Sequence, residues 1–310
     1  MTKCAESAVA ISLISILLAA GCTDDSDARN ERVNTAASAI VVGSFDFSES
    51  QILAEAYASA LESHGFRVRR LGEVASREIM EPALEQEFVD LVPEYQGTAL
   101  AFLSPDAPPA ARGPQETHDD LSHAFADRGI AVLDFAPAQN RNEVVVTDAT
   151  AKRFGLESIS DLQRVASGMV VGGPPECPSR SLCLQGLDQT YGLRFEAFLP
   201  LDAGGPLTVA ALNGGEIDVA LLFTTSPAIP AHDFVVLDDD RHLQPSENVV
   251  PVIRKKVLDI YGDELADIVN SVTARLSTAT LQKLNRRVEV GNHDPIDVAR
   301  AWLEEEGISP

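Results

Sequence analysis

Residues 83–98 read Ala-Leu-Glu-Gln-Glu-Phe-Val-Asp-Leu-Val-Pro-Glu-Tyr-Gln-Gly-Thr, and residues 211–226 repeat the pattern as Ala-Leu-Asn-Gly-Gly-Glu-Ile-Asp-Val-Ala-Leu-Leu-Phe-Thr-Thr-Ser. In each copy a helix-like end and a polar turn lead into an apolar run that reaches an aromatic residue, Tyr95 or Phe223. Such a unit presents its strand end to a ligand in α/β proteins. Two copies predict two similar lobes that face each other across a cleft; a chance likeness between ordinary helix–strand turns is the alternative.

The segments around the repeat alternate between strand and helix patterns. Ile40-Val41-Val42-Gly43 reads as a buried strand, and apolar residues at helical spacing follow it, with Ser48 as the expected N-cap. The first N–H groups of a helix have no partner within the helix, so the junction from Ser44 to Ser48 is expected to bind an anion or a carboxylate. Further strands at 130–133 and 143–147 and a helical tail after 253 favour an α/β fold.

The first 22 residues have the pattern of an export signal. Lys3 precedes an apolar run from Ala8 to Ala20, which is shorter than the roughly 20 residues that a membrane-spanning helix needs. The small residues before Cys22 resemble a bacterial lipobox, which predicts lipidation of Cys22; an ordinary signal peptide cut nearby is the alternative. Residues 23–38 are polar and are expected to form a flexible tether. We therefore expect an exported protein, anchored to the outer face of the cell membrane or lying in the periplasm.

Cys177, Cys183 and the net charge of the chain indicate which metal sites and partners are not expected. Cys177 and Cys183 are expected to form a disulfide, because two cysteines in an exported protein pair more often than they bind a metal. The net charge of -23 argues against a nucleic-acid partner, since phosphate binding needs clustered Lys and Arg.

The sequence lacks the usual signatures of an enzyme. It has no Gly-x-Ser-x-Gly elbow, no phosphate-binding glycine loop and no His-Glu-x-x-His, and the spacing of His118 and His123 fits no usual zinc motif. Asp238-Asp239-Asp240 is expected to be a solvated turn. We expect no catalytic residues, no metal and no cofactor. The alternative is an enzyme whose catalytic site is assembled from residues distant in the sequence.

Several collinear segments resemble one known family, the substrate-binding lipoproteins of ABC importers for osmoprotectants such as glycine betaine, choline and carnitine. The most specific segment is Pro93-Glu94-Tyr95-Gln96-Gly97-Thr98. The others are Gly43 to Glu49, Ile159 to Leu162, Pro175 to Cys183, Tyr191 to Leu193, Leu237 to Asp240, Leu284 to Val288 and Val298-Ala299.

This resemblance implies a fold, partners and a role. The fold would be a type II periplasmic-binding-protein fold, with two α/β lobes joined by a two-strand hinge. Lobe one would comprise residues 39–142 and 248–310, and lobe two residues 143–247. The protein would be a monomer that captures a small osmolyte and delivers it to an ABC permease with its ATPase subunit. The same fold serving a sensor is the alternative role.

The resemblance also implies an aromatic ligand site, because a quaternary ammonium group has no N–H donors and is held by aromatic faces. Tyr95 matches a family tyrosine, while Phe223 and Asn142 stand where the family has Tyr, and Phe45 where Lys is common. The expected ligand-binding residues, with Tyr95 and Phe223 as the facing walls, are Ser44, Phe45, Phe47, Tyr95, Thr98, Asn140, Asn142, Phe223, Thr224 and Thr225. Binding of a different small polar or aromatic solute is the alternative; core packing and turn formation would also explain several of these side chains.

Overall fold

Two five-stranded sheets organise the chain. The computed structural model describes residues 39–73, 76–104 and 113–308, so the predicted signal, Cys22 and the tether lie outside the described residues. The first sheet has the order β2-β1-β3-β10-β4. Its strands are β1 (Ile40–Ser44), β2 (Val68–Glu73), β3 (Leu91–Tyr95), β4 (Ile130–Val132) and β10 (Val249–Arg254).

The second sheet repeats this arrangement with a later part of the chain. Its order is β7-β6-β8-β5-β9, and its strands are β5 (Asn142–Thr147), β6 (Val170–Gly173), β7 (Ala197–Pro200), β8 (Val219–Phe223) and β9 (Phe234–Val236). In both sheets three parallel strands adjoin one antiparallel strand, β10 or β5. We call each sheet with its helices a lobe. The α/β fold with two lobes is therefore confirmed.

Helices cover these sheets and connect their strands. They are α1 (Ser48–Ser63), α2 (Arg77–Glu85), α3 (Gln96–Leu103), α4 (Pro114–Ala126), α5 (Asp148–Phe154), α6 (Leu184–Tyr191), α7 (Pro206–Gly214), α8 (Ala228–Ala231), α9 (Lys255–Tyr261), α10 (Asp263–Thr273), α11 (Thr278–Glu289) and α12 (Pro295–Glu305). The segment 159–164 forms a 3-10 helix, which Ser158 and Asp161 begin with a capping box. No helix in the part of the chain described here is long and apolar enough to cross a membrane.

The sequence repeat has the same structural role in both lobes. The helix–turn–strand unit is α2–β3 in the first lobe and α7–β8 in the second. Asp90 accepts a bond from the Val41 N–H at 2.8 Å, and Asp218 accepts one from the Val170 N–H at 2.9 Å. Each aspartate thus extends the pairing of its strand with the neighbouring parallel strand. The two units are equivalent in space, as the repeat predicts.

Two segments cross between the lobes and run side by side. Residues 133–141 lead from β4 to β5, and residues 237–248 lead from β9 to β10. Gln139 and Asn248 form an antiparallel bridge, and the Asn140 N–H donates to the Glu247 carbonyl at 2.9 Å. The predicted lobe limits at 142/143 and 247/248 lie close to these segments but stay predictions.

The helical tail completes the core of the first lobe. Helix α1 is apolar on most of its faces and packs against α10, α11 and α12. Trp302 of α12 and Tyr57 of α1 are fully buried in this core. Burial of side chains of this size stabilises a fold by roughly 1.5–3 kcal/mol each. The return of the chain after β10 therefore closes the first lobe over α1, the helix that begins at the cleft.

Candidate ligand-binding site

A cavity of about 640 Å³ lies between the two lobes. Its walls include the segments that follow β1 and β6 and the carboxyl ends of β3 and β8, the two strands that belong to the repeat. The first lobe contributes Phe45, Phe47 and Tyr95, and the second contributes Pro174, Gly204 and Phe223. A site at the carboxyl ends of strands is the usual ligand position in α/β folds.

Four aromatic rings from both lobes form a cluster at this cavity. The Phe47 ring is central: its centroid lies 5.9 Å from that of Tyr95, 5.4 Å from that of Phe223 and 6.1 Å from that of Phe45. The last pair is nearly parallel, with an interplanar angle of 4°. Phe47 thus packs against both Tyr95 and Phe223, and the role of these two residues as the facing walls of a ligand site stays a prediction.

Phe223 owes its place to a glycine of the second lobe. Gly204 has φ of +69°, and a Cβ at this position would lie 3.3 Å from two carbon atoms of the Phe223 ring. Positive φ favours glycine, and the absent side chain leaves space for the ring. Asp202 begins the following helix α7 by accepting bonds from the N–H groups of Leu207 and Thr208 at 2.9 Å. The turn before α7 thus packs against the Phe223 ring of the aromatic cluster.

Tyr95 is anchored through its hydroxyl group. The hydroxyl donates to Glu49 Oε1 at 2.8 Å, and the Asn140 amide donates to the same oxygen at 2.8 Å. Glu49 lies in the first turn of α1 and is 2% exposed. Burial raises the pKa of Glu49, opposed by hydrogen bonds from Thr225, Asn285, Tyr95 and Asn140. The hydroxyl of Tyr95 is therefore engaged within the protein, while the residue lines the cavity.

A buried ion pair supports Phe45. Arg77 Nε and Nη2 donate to the two oxygens of Glu94 at 2.6 and 2.8 Å. The Arg77 guanidinium carbon lies 5.0 Å from the centroid of the Phe45 ring, a cation–π distance. Burial opposes the charge on Arg77, but the carboxylates around it, Glu94 first, raise its pKa. Arg77 is thus already bound on two sides.

Two further buried carboxyl groups surround this pair. Burial raises the pKa of Glu81 to about 9, and the neighbouring Glu94 charge adds to the shift. Burial also raises the pKa of Glu247 to about 7, while a hydrogen bond from Thr98 opposes this. Glu247 accepts the hydroxyl of Thr98 and, at 3.1 Å, the N–H of Gly97. Glu81 and Glu247 therefore take up protons beneath the cavity at a higher pH than exposed carboxyl groups do.

An ion pair crosses the cleft from lobe to lobe. Arg180 Nη2 and Nε donate to the carboxylate of Glu78 on α2 at 2.8 and 3.1 Å. Burial opposes ionisation of Glu78, but bonds from Arg180 and Ser76 lower its pKa to about 2. Arg180 lies within the loop from Cys177 to Cys183, whose sulfur atoms are at bonding distance and whose Cα atoms are 5.2 Å apart. That separation is normal for a disulfide.

Seven of the predicted ligand-binding residues line the cavity and three do not. The seven are Phe45, Phe47, Tyr95, Thr98, Asn140, Asn142 and Phe223. Ser44 instead borders a separate, smaller cavity with Arg70 and Asp294, because successive side chains of a strand point to opposite faces. Thr224 accepts the Arg141 N–H at 3.0 Å in the crossing region, and Thr225 is buried against Glu49.

Two of the donors at the predicted carboxylate site have partners within the protein. The Phe45 N–H donates to Ser50 Oγ at 2.9 Å, and Thr98 donates to Glu247. Helix α1 begins after Phe47, its N-cap, and not after Ser48. These two donors are thus engaged within the protein, while the anion site at this junction stays a prediction.

Sequence reasoning did not identify the charged residues of the site. Arg77, Glu49 and Arg180 each act through a partner that is distant in the sequence, so periodicity gives no signal for them. Asp202 and Gly204 had a usable signal, since Asp202-Ala203-Gly204-Gly205-Pro206 places an acidic residue and a proline where a helix typically starts.

The Asp238–Asp240 turn and the histidines do not form a second site. Asp239 accepts bonds from the Tyr191 hydroxyl and from the N–H groups of Leu243 and Gln244, so it fixes its own turn. Across residues 39–73, 76–104 and 113–308, no group of three or more His, Cys, Asp or Glu side chains is placed to hold a metal ion.

Comparison with known proteins identifies the family. The model of the OpuAC family, the substrate-binding domain of the ABC-type glycine betaine transport system, matches residues 38–305. The chain belongs to this family. As an OpuAC protein it is a solute-binding component of an ABC transport system and not an enzyme, and it functions outside the cytoplasm.

Individual relatives agree with this assignment along most of their length. The chain is 27% identical to the glycine betaine-binding protein YehZ of Escherichia coli over 282 residues, which is 88% of this chain and 92% of that protein. It is 28% identical to the glycine-betaine-binding protein of Pseudomonas aeruginosa over 287 residues, 85% of this chain and 86% of that one. A crystal structure titled as a glycine betaine/carnitine/choline ABC transporter superposes with a TM-score of 0.68 at 26% identity, covering 87% of this chain and all of the other.

Proposed function

We propose that this protein captures a small quaternary-ammonium osmolyte of the glycine betaine, choline and carnitine class between its lobes. The observation that carries the proposal is the cluster of Phe47, Tyr95 and Phe223: the Phe47 ring centroid lies 5.9 Å from that of Tyr95 within the first lobe and 5.4 Å from that of Phe223 across the cleft. A quaternary ammonium has no N–H groups and is recognised by ring faces within about 6 Å. The names of the relatives agree with this ligand class.

The charges of the cavity favour a cation over an anion. Two arginines, Arg77 and Arg180, are among the described residues that line the cavity. The guanidinium group of Arg77 is paired with Glu94, and that of Arg180 with Glu78. Asp46, Glu176 and Asp202 also line the cavity. An anionic ligand would have to displace one of these ion pairs, whereas a cation meets a surface on which carboxylates outnumber guanidinium groups.

This arrangement distinguishes among the members of the class. The N–H of Phe45 and the hydroxyl of Thr98, which were expected to bind a ligand carboxylate, donate within the protein. Choline carries no carboxylate and requires no such donor. We therefore expect choline to bind at least as tightly as glycine betaine. The hydroxyl group of choline would lie close to Asn142, which lines the cavity and whose amide makes one long hydrogen bond of 3.3 Å to Gln244.

The experiment that tests this function compares choline with its uncharged carbon analogue, 3,3-dimethyl-1-butanol, by titration calorimetry of the purified protein. Each ring contact with a cation contributes about 0.5–2 kcal/mol, so two rings predict a preference for choline of roughly fivefold to about a thousandfold. Phe47→Ala should reduce this preference, because Phe47 contacts both other rings. Equal affinities for the charged and the neutral compound would contradict cation recognition.

The capture step would depend on closure of the lobes. A ligand that touches both lobes binds the closed form better than the open form and shifts the equilibrium by that difference. The closed protein would then deliver the ligand to an ABC permease driven by its ATPase subunit. Uptake of labelled choline by cells should depend on both this protein and the permease.

The chain would reach the permease from the outer face of the cell membrane. The signal-like segment 1–22 and the tether 23–38 support a lipid anchor on Cys22. In cells fed a labelled fatty acid, the wild-type protein should carry the label and Cys22→Ser should not. Equal labelling of both would contradict the anchor.

A further inference from the structure

Glu49 is a buried carboxylate that does not line the cavity, yet it joins the elements that build it. It lies two residues after Phe47, at the start of α1, with its side chain 2% exposed. Both of its oxygens accept hydrogen bonds. The start of a helix stabilises a carboxylate, but the cost of burying this charge must be offset mainly by its hydrogen-bond donors.

The donors come from four distant segments of the chain. Tyr95 at the end of β3 and Asn140 in the first crossing segment donate to Oε1, each at 2.8 Å. Asn285 of α11 donates to Oε2 at 2.7 Å, and the Thr225 side chain bonds to the same carboxylate. Convergence of four donors on one buried acceptor is the kind of network that fixes a single arrangement.

One of these bonds runs from lobe to lobe. Thr225 follows β8 in the second lobe, two residues after Phe223, whereas Glu49 belongs to the first lobe, two residues after Phe47. Asn285 strengthens the connection by donating to the Thr225 carbonyl at 3.3 Å. The carboxylate thus holds the two chain segments whose rings meet at 5.4 Å in the cluster.

The same carboxylate determines how Tyr95 faces the cavity. The backbone of β3 holds one end of this side chain, and Glu49 holds its hydroxyl at the other end. The ring is therefore fixed at both ends, 5.9 Å from that of Phe47 and tilted by 35° to it. Without the carboxylate, the buried hydroxyl would have to turn toward another acceptor, and the ring would turn with it.

We propose that Glu49 is a positioning residue of the ligand site: it fixes the Tyr95 ring and ties the segment bearing Phe223 to the segment bearing Phe47. Glu49 itself touches no ligand. Its effect on affinity rests on the function proposed above, whereas its effect on the spacing of the lobes does not. Two measurements separate these effects.

The first measurement is the distance between spin labels, one on each lobe, at the exposed positions Glu116 and Glu216. Glu49→Gln keeps the shape of the side chain but replaces one of its two acceptor oxygens with an NH2 group. That group cannot accept the bond from Asn285 or, in the other orientation, the bonds from Tyr95 and Asn140. We expect Glu49→Gln to broaden the distance distribution of the ligand-free protein. Thr225→Val removes only the donor from the second lobe and should broaden the distribution less, which provides a test if Glu49→Gln does not fold.

The matched control is Thr273→Val. Thr273 bonds to the hydroxyl of Tyr57 at 3.0 Å, so this variant also deprives a buried tyrosine of its partner, but in the core of the first lobe. It should lower thermal stability and leave the distance distribution as in the wild type. A broadening in Thr273→Val equal to that in Glu49→Gln would show that general destabilisation is responsible and would overturn the proposal.

The second measurement is titration of the same variants with choline. Loss of hydrogen bonds at one buried acceptor predicts a dissociation constant raised about tenfold or more in Glu49→Gln and roughly threefold in Thr225→Val, with no change in Thr273→Val. An unchanged distance distribution in the Glu49 variant overturns the proposal whatever the affinity. If the wild type binds no choline, the proposed function fails, and the distances alone decide the role of Glu49.

Discussion

Glu247 lies fully buried in the segment that returns from the second lobe to the first. Its replacement by Gln tests how much burial of this carboxyl group changes the stability of the protein with pH. Burial raises the pKa of Glu247 from 4.5 to about 7, against the hydrogen bond from Thr98. The folded protein therefore favours the protonated form more than the unfolded chain does. This contribution to stability is complete below about pH 4.5 and is lost as the pH rises through about 7.

The size of the effect follows from the two pKa values. Each pKa unit corresponds to about 1.4 kcal/mol, so above pH 7 the wild type is less stable than a protein with a permanently neutral group by roughly 3 kcal/mol. Glutamine provides that neutral group. Its carbonyl can accept the Gly97 N–H, and its amide can donate to the Thr98 hydroxyl, so the two contacts of Glu247 are kept.

The assay is urea unfolding of wild type and Glu247→Gln at pH 5 and pH 8. We expect the free energy of unfolding of the variant to exceed that of the wild type by under about 1 kcal/mol at pH 5 and by roughly 3 kcal/mol at pH 8. Glu116→Gln, at an exposed position on α4, controls for the loss of one negative charge. A difference between variant and wild type that is the same at both pH values would refute the reasoning.

Three further predictions concern the cleft and its supports. Cys177→Ser removes the short disulfide loop and should cost roughly 2 kcal/mol of unfolding free energy, measured by urea titration. Gly97→Ala places a methyl group 2.4 Å from a side-chain carbon of the return segment and should lower stability by about 2 kcal/mol, whereas Gly214→Ala, which meets nothing within 4 Å, should not. Arg180→Gln breaks the ion pair with Glu78 and should weaken choline binding by roughly twofold to fivefold in low salt, with a smaller effect at high salt in the same titration.

Much of the fold follows from the sequence because its signals are local. The repeat predicts two equivalent helix–turn–strand units, and the paired roles of Asp90 and Asp218 show why the same residues recur. Strand β7 (Ala197–Pro200) escaped prediction because it is a short strand at the sheet edge, with side chains that are half-buried or exposed. Such a segment lacks the apolar run or strict alternation that marks a strand.

The site is predictable only in part, because its chemistry depends on contacts between distant residues. The resemblance to the family predicts a ligand site that includes Phe45, Phe47, Tyr95 and Phe223, and all four residues line the cavity. The partners of Glu49 lie between 46 and 236 positions away along the chain, so no spacing rule reveals them.

Side-chain direction is the second missing element. Ser44 and Phe45 are adjacent, but only Phe45 lines the cavity, since successive side chains at a strand end point to opposite faces. Thr224 and Thr225 follow the predicted wall residue Phe223, but Thr224 bonds to Arg141 in the crossing segment and Thr225 to the buried Glu49. Prediction of a strand end therefore locates a site without showing which of its neighbouring residues face it.

The central claim is that the aromatic cluster at the cleft binds a quaternary ammonium osmolyte. The most direct measurement is calorimetric titration of the purified, folded protein with choline, glycine betaine and carnitine. The account predicts binding of at least one of them with a dissociation constant in the micromolar range, about 8 kcal/mol of binding free energy, and loss of that binding in Tyr95→Ala. No heat of binding from any of the three, in a protein shown to be folded by its cooperative unfolding, would contradict it.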